Sequence, residues 1–332
     1  EGFAFTNTPW LIAKQEENPL VIINGTLIDG TTCTGSVTIP DSVTSIAGGA
    51  FDSCTGLTAI TIPESVTSIG NYAFDSCTNL TKITIPDSIT SISDYAFRGC
   101  TGLKTITIPE SVTTVGENAF SGCTGLTEIA IPDSVTSIGD HAFDGCTGLK
   151  TITIPESVTS IGNGTFQSCT NLTEITIPDG VTSIEGWTFS YCTALEKIVI
   201  PRSVTDIDSS AFENDTNLTI YGYTNSYAET YAKEQNIPFV ALDNSNTPSV
   251  DTASMGDLDG DGVISIDDAY QALLAYSSIS AGGAPNLTEA QKKFADVDKD
   301  GEITINDAFY ILRYYAEHSA GNPIRWEELL GA

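Results

Sequence analysis

An Ile-Pro pair recurs eight times at a fixed spacing of 23 residues, and this period constrains the fold more than any other feature of the chain. The eight prolines are Pro40, Pro63, Pro86, Pro109, Pro132, Pro155, Pro178 and Pro201. A fixed period of about 20 to 50 residues indicates a solenoid, because each unit can bury its apolar face only against the next unit. The sequence therefore predicts a stack of similar coils.

Every apolar position of one repeat fits this interpretation. In residues 123–143, "CTGLTEIAIPDSVTSIGDHAF", Leu126, Ile129 and Ile131 follow an L-x-x-L-x-L spacing. The two isoleucines alternate with other residues, which is the period of a β-strand. Pro132 cannot donate a hydrogen bond to a neighbouring strand, so it ends the strand. Val135 and Ile138 are then expected to point inward from the returning arm.

Seven of the eight cysteines follow the same period, at Cys54, Cys77, Cys100, Cys123, Cys146, Cys169 and Cys192. A strict period predicts one buried position copied in each coil, and a free thiol is a small apolar group that suits such a position. Neighbouring coils would place two thiols about 5 Å apart, which is within disulfide range. The sequence favours reduced thiols and leaves some oxidation open.

The repeat resembles the BspA-like leucine-rich repeat family of bacterial surface and secreted proteins, over residues 37–220. This resemblance implies an α/β-type leucine-rich repeat solenoid with short parallel strands on the concave face. Residues 1–36, which include Cys33, resemble an N-terminal cap with a short helix and a hairpin turning at Asn24-Gly25. Residues 221–242 resemble a C-terminal cap with a helix near residues 226–235 and a last strand. Caps are needed because the end coils expose their core.

Two columns of outward residues are candidate binding surfaces on the solenoid. One runs along the strands and is mostly threonine, either because threonine is a good exposed strand residue or because it forms a hydroxyl-rich face for a protein or a glycan. The other precedes each Ala-Phe or Thr-Phe pair and consists of Tyr72, Tyr95, Asn118, His141, Gly164 and Trp187. Its aromatic residues either pack along the loop or anchor a ligand.

Near the end of the chain, the stretch "GDLDGDGVISIDDAY" places five aspartates within residues 257–268. Its spacing matches an EF-hand-type loop, because Ca²⁺ requires six to eight oxygen ligands around a sharp glycine turn. A second copy, "DVDKDGEITIND", follows 39 residues later. In both loops the last ligand is aspartate where an EF-hand has glutamate. The sequence thus predicts two Ca²⁺ ions, bound by Asp257, Asp259, Asp261, the Val263 carbonyl, Ser265 and Asp268, and by Asp296, Asp298, Asp300, the Glu302 carbonyl, Thr304 and Asp307.

The residues before the first loop are rich in Ser, Thr, Asn and Pro and cannot form an entering helix, whereas each loop is followed by a helix. This loop–helix duplication resembles a dockerin, a small all-α calcium-binding module that binds the cohesin modules of scaffoldin proteins in cellulosomes. The resemblance implies a dockerin at residues 256–320, a linker at 243–255 and a tail at 321–332 that either folds back or stays disordered. It implies cohesin contacts at Ile266, Asp267, Leu274, Ile305, Asn306 and Arg313. Ala269, Leu273 and Tyr276, with Ala308, Leu312 and Tyr315, are expected in the core.

Composition argues against several functions. The net charge of −30 disfavours nucleic acid and anionic lipid, because phosphate binding needs clustered Lys and Arg. The sequence has no apolar run of about 18 residues that could span a membrane. His141 and His318 are the only histidines, and no Ser-His-Asp or Cys-His set can be assembled. We therefore expect no enzymatic activity.

The dockerin resemblance implies a secreted, extracellular, cellulosome-associated protein. Its dockerin is expected to bind a scaffoldin cohesin with calcium as a structural ion, while its solenoid displays a protein-binding surface. The alternative is a carbohydrate-binding or adhesion module that brings the complex to plant cell wall or cell surfaces. The sequence does not decide between a protein and a glycan as the solenoid's ligand.

Overall fold

The computed structural model describes residues 5, 7–242, 255–258, 264–283, 287, 289–319 and 325–330. The chain divides into two compact units, Glu1–Leu242 and Asp243–Ala332. The first unit is a parallel-strand solenoid of about nine turns. The second is helical. The predicted fold class is confirmed in both parts.

A helix and a hairpin begin the first unit. Helix α1 (Pro9–Glu17) starts at Thr8, whose side chain accepts a hydrogen bond from the Leu11 N–H. Strands β1 (Val21–Ile23) and β2 (Thr26–Asp29) pair antiparallel around Asn24 and Gly25, which both have positive φ. This is the backbone that a two-residue hairpin turn requires. Strand β2 then pairs in parallel with the first coil, so the predicted cap helix and hairpin are both present.

The Ile-x-Ile segments form parallel strands that we call the Ile-x-Ile sheet. Their partners lie one repeat apart, as in the pairing of Ile175 with Ile198. In the middle coils the pairing is reduced to single bridges between Thr107 and Ala130 and between Ala130 and Thr153. The strands are β3 (Gly35–Thr38), β5 (Leu57–Thr61), β7 (Lys82–Thr84), β12 (Glu174–Thr176), β14 (Lys197–Val199), β16 (Thr219–Gly222) and β17 (Phe239–Ala241).

A second set of parallel strands, the Ser-Ile strands, runs along the returning arm. Sequence analysis assigned only an inward-pointing Ile138 here and did not predict a strand, because two residues are too few to show alternation. In the structure Ser137 and Ile138 pair with Ser160 and Ile161 of the next coil. The strands are β4 (Ser45–Ile46), β6 (Ser68–Ile69), β8 (Ser91–Ile92), β9 (Thr114–Val115), β10 (Ser137–Ile138), β11 (Ser160–Ile161), β13 (Ser183–Ile184) and β15 (Asp206–Ile207).

One phenylalanine from each coil forms a continuous stack through the core, from Phe51 to Phe212. Successive ring centroids are 5.1–5.6 Å apart and the rings are nearly parallel. At the first end Gly30 leaves room for Phe51, since a Cβ on Gly30 would lie 2.2 Å from that ring. At the other end Tyr231 covers Phe212 in a T-shaped contact, with centroids 5.9 Å apart. The caps therefore close the stack at both ends.

All eight cysteines are free and buried. From Cys77 to Cys192, each thiol donates a hydrogen bond of 3.0–3.2 Å to the phenylalanine carbonyl of the preceding coil. Burial raises the pKa of these eight thiols. The pKa is about 11 at Cys33 and higher still at coils inside the ladder, such as those of Cys77 and Cys123. Since the thiolate is the reactive form, the ladder is chemically inert.

An aspartate occupies the next position of the cysteine column. Asp215 follows Cys192 by one repeat and is 8% exposed. Both of its carboxyl oxygens are buried without a hydrogen-bond partner among the described residues. Burial raises the pKa of Asp215 to about 7. The groups that face it, the Cys192 thiol and the Tyr231 phenol, supply no positive charge. A neutral carboxylic acid can donate a hydrogen bond as the preceding thiols do, whereas a carboxylate cannot.

The C-terminal cap lies against this last coil. Helix α2 (Tyr227–Gln235) starts at Ser226, whose side chain accepts from the Glu229 N–H, and it ends at the left-handed Asn236. Strand β17 then pairs in parallel with β16. The predicted helix and last strand are therefore both present.

The second unit contains α3 (Ile266–Ser280), α4 (Glu289–Ala295), α5 (Ile305–Ser319) and α6 (Trp326–Leu330). Helices α3 and α5 pack on each other through small residues such as Ala272 and Ala308, around the buried Ile311. This is the predicted pair of helices, one after each aspartate loop.

The buried acid makes the solenoid sensitive to pH. The pKa of Asp215 is raised in the folded state, so its protonated form contributes stability that is complete below pH 4 and is lost as pH rises to about 7. We expect Asp215→Cys, which restores the residue of the preceding coils, to remove this loss. The variant should exceed the wild type by about 4 kcal/mol in unfolding free energy at pH 8 and by much less at pH 4.5.

Chemical denaturation of both full-length proteins at these two pH values, with calcium and a thiol reductant, measures the difference. Asp215→Asn serves as a neutral control of the same shape. If the unfolding free energies of the wild type and Asp215→Cys differ by the same amount at both pH values, Asp215 is not the titrating group.

Candidate functional site

The second aspartate loop joins α4 to α5 and brings three carboxylates together. One carboxyl oxygen from each of Asp296, Asp298 and Asp307 lies within 4.8 Å of the others. Asp307 is fully buried, and the other two are half-buried. Like charges at this distance repel one another, so the cluster requires a cation or protons.

Asp307 is held by the start of α5. Its Oδ2 accepts hydrogen bonds from the Thr304 N–H at 2.8 Å and the Thr304 hydroxyl at 3.1 Å, and the Thr304 hydroxyl oxygen accepts from the Asn306 N–H. This resembles a capping box, in which the cap residue and the third helical residue satisfy each other. Its Oδ1 accepts from the Val297 N–H at 2.9 Å. Asp307, the predicted last ligand, thus connects the start of the loop at Val297 to its end at Thr304.

The remaining loop residues shape the turn. Gly301 has a φ of +90°, and its N–H donates to Asp296 Oδ2 at 3.1 Å. Asp300 is exposed, accepts a hydrogen bond from the Glu302 N–H and lies outside the three-carboxylate cluster. Among the described residues, the other oxygen of Asp296, Oδ1, is buried and has no hydrogen-bond partner. A buried carboxylate oxygen without a donor is costly, and a hard cation such as Ca²⁺ fits it.

The first loop repeats this arrangement where it is described. Asp268 is fully buried and accepts from the Leu258 N–H at 2.7 Å, the Ser265 N–H at 2.8 Å and the Ser265 hydroxyl at 3.0 Å. These partners lie 39 residues before Val297 and Thr304 of the second loop. Asp257 is also buried. The predicted ligands Asp259, Asp261 and Val263 lie outside the described residues.

Helices α3 and α5 each expose a stripe of large side chains at matching positions, all of them apolar except Arg313. We call Ile266, Tyr270, Leu273 and Leu274 the α3 stripe, and Ile305, Phe309, Leu312 and Arg313 the α5 stripe; every one of these side chains is exposed. Asn306 is exposed beside the second stripe, whereas the side chain of Asp267 lies outside the described residues.

Two core predictions in these helices are wrong. Leu273 and Leu312 are 43% and 42% exposed, and alanines fill the α3–α5 contact where these leucines were expected. Tyr276 and Tyr315 are only half-buried. Sequence analysis also missed Tyr270 and Phe309, which lie four residues after Ile266 and Ile305 and therefore share their helix faces.

The tail folds back within the second unit. Trp326 of α6 is buried and stacks on Tyr314 of α5, with ring centroids 4.4 Å apart. Its indole also leaves no room for a side chain at Gly256, whose Cβ would lie 2.7 Å from it. Of the two alternatives for the tail, the structure shows that α6 folds back onto the second unit. The contact between Trp326 and Gly256 places α6 next to the residue that precedes Asp257.

On the solenoid, the strand face carries two adjoining hollows near its C-terminal end. The larger, about 600 Å³, is lined by Thr173, Glu174, Glu196, Lys197, Asn217, Thr219 and Tyr221. Lys197 lies 3.9 Å from Glu174 and 5.5 Å from the Tyr221 ring centroid. The second hollow shares Glu174 and Lys197 and extends along the threonine column. This face therefore offers mixed charges and hydroxyls.

The chain belongs to the BspA type leucine-rich repeat family, which matches residues 22–127 and 113–233 in six copies. A dockerin type I domain matches residues 255–314. Neither of these two matches describes a catalytic domain. Dockerin type I domains generally bind calcium. No curated protein matches the chain.

Solved leucine-rich repeat proteins are also similar to parts of the chain. One from Bacteroides ovatus is 27% identical over 56% of this chain and 63% of its own, with a TM-score of 0.35. A leucine rich repeat protein from T. pallidum is 24% identical over 62% of this chain and 85% of its own, with a TM-score of 0.42. A leucine rich cell surface protein from Faecalibacterium prausnitzii is 30% identical over 60% and 81%, with a TM-score of 0.27. In the described part of this chain, no helix has the length and apolarity to cross a membrane.

Removing one carboxylate should weaken ion binding at the second loop. We expect Asp296→Asn to lower Ca²⁺ affinity there by about tenfold or more, because ligand charge sets affinity in such loops. Isothermal titration of the full chain with Ca²⁺ measures this loss. Glu302→Gln is the matched control, since only the Glu302 carbonyl is a predicted ligand. If both variants bind like the wild type, the cluster is not the ion site.

The tail contact should stabilise the second unit. We expect Trp326→Ala to lower its unfolding free energy by about 3 kcal/mol, as for other large aromatic residues removed from a core. Thermal unfolding followed by helical circular dichroism in calcium reports this change. Phe309→Ala, which removes an exposed aromatic ring of the same unit, should have little effect, and equal effects of the two variants would contradict the assignment.

Proposed function

We propose that residues 256–320 form a calcium-folded dockerin that binds a cohesin of a scaffoldin, and that the solenoid of residues 37–220, with its caps at 1–36 and 221–242, displays a protein-binding surface. Residues 243–255 would act as the linker between them. The protein is then a non-catalytic, secreted component of a cellulosome.

One observation carries the cohesin proposal: the α3 stripe and the α5 stripe present exposed apolar groups at the same positions of two copies. Exposed apolar patches on a small unit mark an interaction surface. The proposed contacts are Ile266, Asp267, Leu274, Ile305, Asn306 and Arg313, extended by the exposed Tyr270 and Phe309.

Calcium enters this proposal as a structural ion. The unpaired oxygen of Asp296 and the three-carboxylate cluster support a cation at the second loop. The matching partners of Asp268 support a second at the first loop. When bound, the ion supplies positive charge that lets these buried carboxylates remain ionised. Because each loop sets the start of the following helix, ion binding positions both stripes.

The solenoid proposal is supported by its repeated strand face and by the hollows around Glu174 and Lys197. Repeat proteins present extended surfaces of this kind to partners. The mixed signs at Glu174, Glu196 and Lys197 suit a polar protein surface better than a nucleic acid, because the chain's net charge is −30.

Titration of the full chain against a panel of cohesins, with calcium and with chelator, tests the proposal. We expect binding to one cohesin class in the nanomolar range that is lost with chelator. Two bound calcium ions without binding to any cohesin would overturn the cohesin assignment while leaving the calcium sites intact.

The two stripes differ most at Leu274 and Arg313, so we expect one binding orientation to dominate. In that case Arg313→Glu and Leu274→Glu should have unequal effects on cohesin affinity, about tenfold or more for one and little for the other. Calorimetry with a single cohesin compares the two matched variants. Equal losses for both would show that the orientations are equivalent.

A further inference from the structure

Two columns of left-handed residues run along the turn edge of the solenoid. The first turn column is Gly49, Tyr72, Tyr95, Asn118, His141, Gly164 and Trp187; the second is Ser53, Ser76, Gly99, Gly122, Gly145, Ser168, Tyr191 and Asn214. Positive φ favours glycine and asparagine and is costly for bulky side chains. Four aromatic residues, Tyr72, Tyr95, Trp187 and Tyr191, therefore occupy a backbone that disfavours them.

Packing accounts for two of these aromatic residues. Tyr72 and Tyr95 stack on each other with ring centroids 4.5 Å apart and an interplanar angle of 12°. The Arg98 guanidinium lies 5.6 and 5.2 Å from the two centroids and is held by the buried Asp75. These contacts offset the backbone cost inside the solenoid.

Stacking and cation contacts do not account for the other two. Trp187 and Tyr191 are 49% and 47% exposed. Within the described solenoid, neither ring stacks on another aromatic ring or lies beneath a cation. The rings of Tyr72 and Tyr95 do both. Tyr191 stands where the other coils have Ser, Gly or Asn. An unfavourable backbone that exposes two large rings points to a role outside folding.

Fixed polar groups lie beside Trp187, around the buried Gly186. A Cβ at Gly186 would lie 3.3 Å from the Ser210 hydroxyl oxygen, 3.5 Å from Asn163 Oδ1 and 3.5 Å from the Asp208 carboxyl carbon. The Ser210 hydroxyl donates to Asp208 Oδ1 at 2.6 Å and accepts from the Trp187 N–H at 3.2 Å. Hydrogen bonds from Ser210 lower the pKa of Asp208. Asp208 thus stays an ionised acceptor next to Ser210, whose hydroxyl also accepts from the Trp187 backbone N–H.

We propose that the Trp187–Tyr191 turn, with Asn163, Asp208 and Ser210, is a binding site for a neutral polysaccharide. A sugar ring presents an apolar C–H face to an aromatic ring and hydroxyl groups to polar side chains, which is the combination found here. The charged residues of this turn are Glu185, Asp208 and Glu213, all acidic. Acidic polymers are repelled by them and by the overall charge of −30.

Native affinity electrophoresis of the full chain in saturating calcium tests the site directly. The gels contain hydroxyethylcellulose, xylan or glucomannan as neutral polymers, or polygalacturonate as an acidic one. We expect at least one neutral polymer, and not polygalacturonate, to retard the wild type. Trp187→Asn and Tyr191→Ser place the residues of other coils at these positions, and we expect each to weaken retardation by about tenfold.

Stability separates a binding role from a structural one. Because neither ring makes the stacking and cation contacts that hold Tyr72 and Tyr95, Trp187→Asn and Tyr191→Ser should leave the Tm of the solenoid unchanged or raise it. Tyr95→Asn is the matched control: it should lower the Tm and keep the retardation. The proposal is overturned if no neutral polymer retards the wild type, if the double variant Trp187→Asn/Tyr191→Ser is retarded as strongly as the wild type, or if this double variant loses as much Tm as Tyr95→Asn. Because the dockerin is intact in all variants, cohesin binding is an independent readout.

Discussion

The rest of the solenoid depends on the contact between neighbouring coils. In this contact, hydrogen bonds and stacked rings join coils that lie one 23-residue repeat apart in the chain. Parallel strands lie about 5 Å apart, and the phenylalanine rings stack at 5.1–5.6 Å, so backbone and side chains share one repeat distance. From Cys77 to Cys192 each thiol reaches the phenylalanine carbonyl of the previous coil, as Cys146 does with Phe120. A residue that changes size or hydrogen bonding in one coil therefore disturbs the contact with both neighbours.

A translational stack has two open ends, and the structure closes them by different means. At the first end the hairpin supplies Gly30, which lets Phe51 approach the backbone. At the last end Tyr231 covers Phe212 in a T-shaped contact, and Asp215 takes the place of the next thiol. A carboxyl group forms a stronger hydrogen bond than a thiol when protonated and loses its donor when ionised. Asp215 is thus the one member of the cysteine column in the described solenoid whose charge changes near neutral pH.

The repeat and both aspartate loops could be predicted because each follows a fixed spacing, 23 residues for the coils and 39 for the loops. The caps could be predicted because the flanking segments resemble those of the leucine-rich repeat family. The Ser-Ile strands could not, since strands of two residues show no alternation. Leu273 and Leu312 were misassigned because helical spacing identifies a face and does not say which face a neighbouring helix covers. Tyr191 was overlooked because its column is Ser, Gly and Asn, and only the positive φ of that column shows that an aromatic residue there is unusual.

The two units differ in how much stability their own contacts supply. The solenoid buries one phenylalanine and several isoleucines per coil and closes its ends, so its shape needs no ligand. The second unit packs mainly alanines between α3 and α5 and leaves large apolar groups such as Phe309 exposed. A small core of this kind contributes little, and its buried carboxylates add repulsion. An ion between Asp296 and Asp307 would remove that repulsion, and a partner on the stripes would cover the apolar groups. The same duplication that weakens the unit alone would therefore suit it to the proposed roles of folding around calcium and binding a partner.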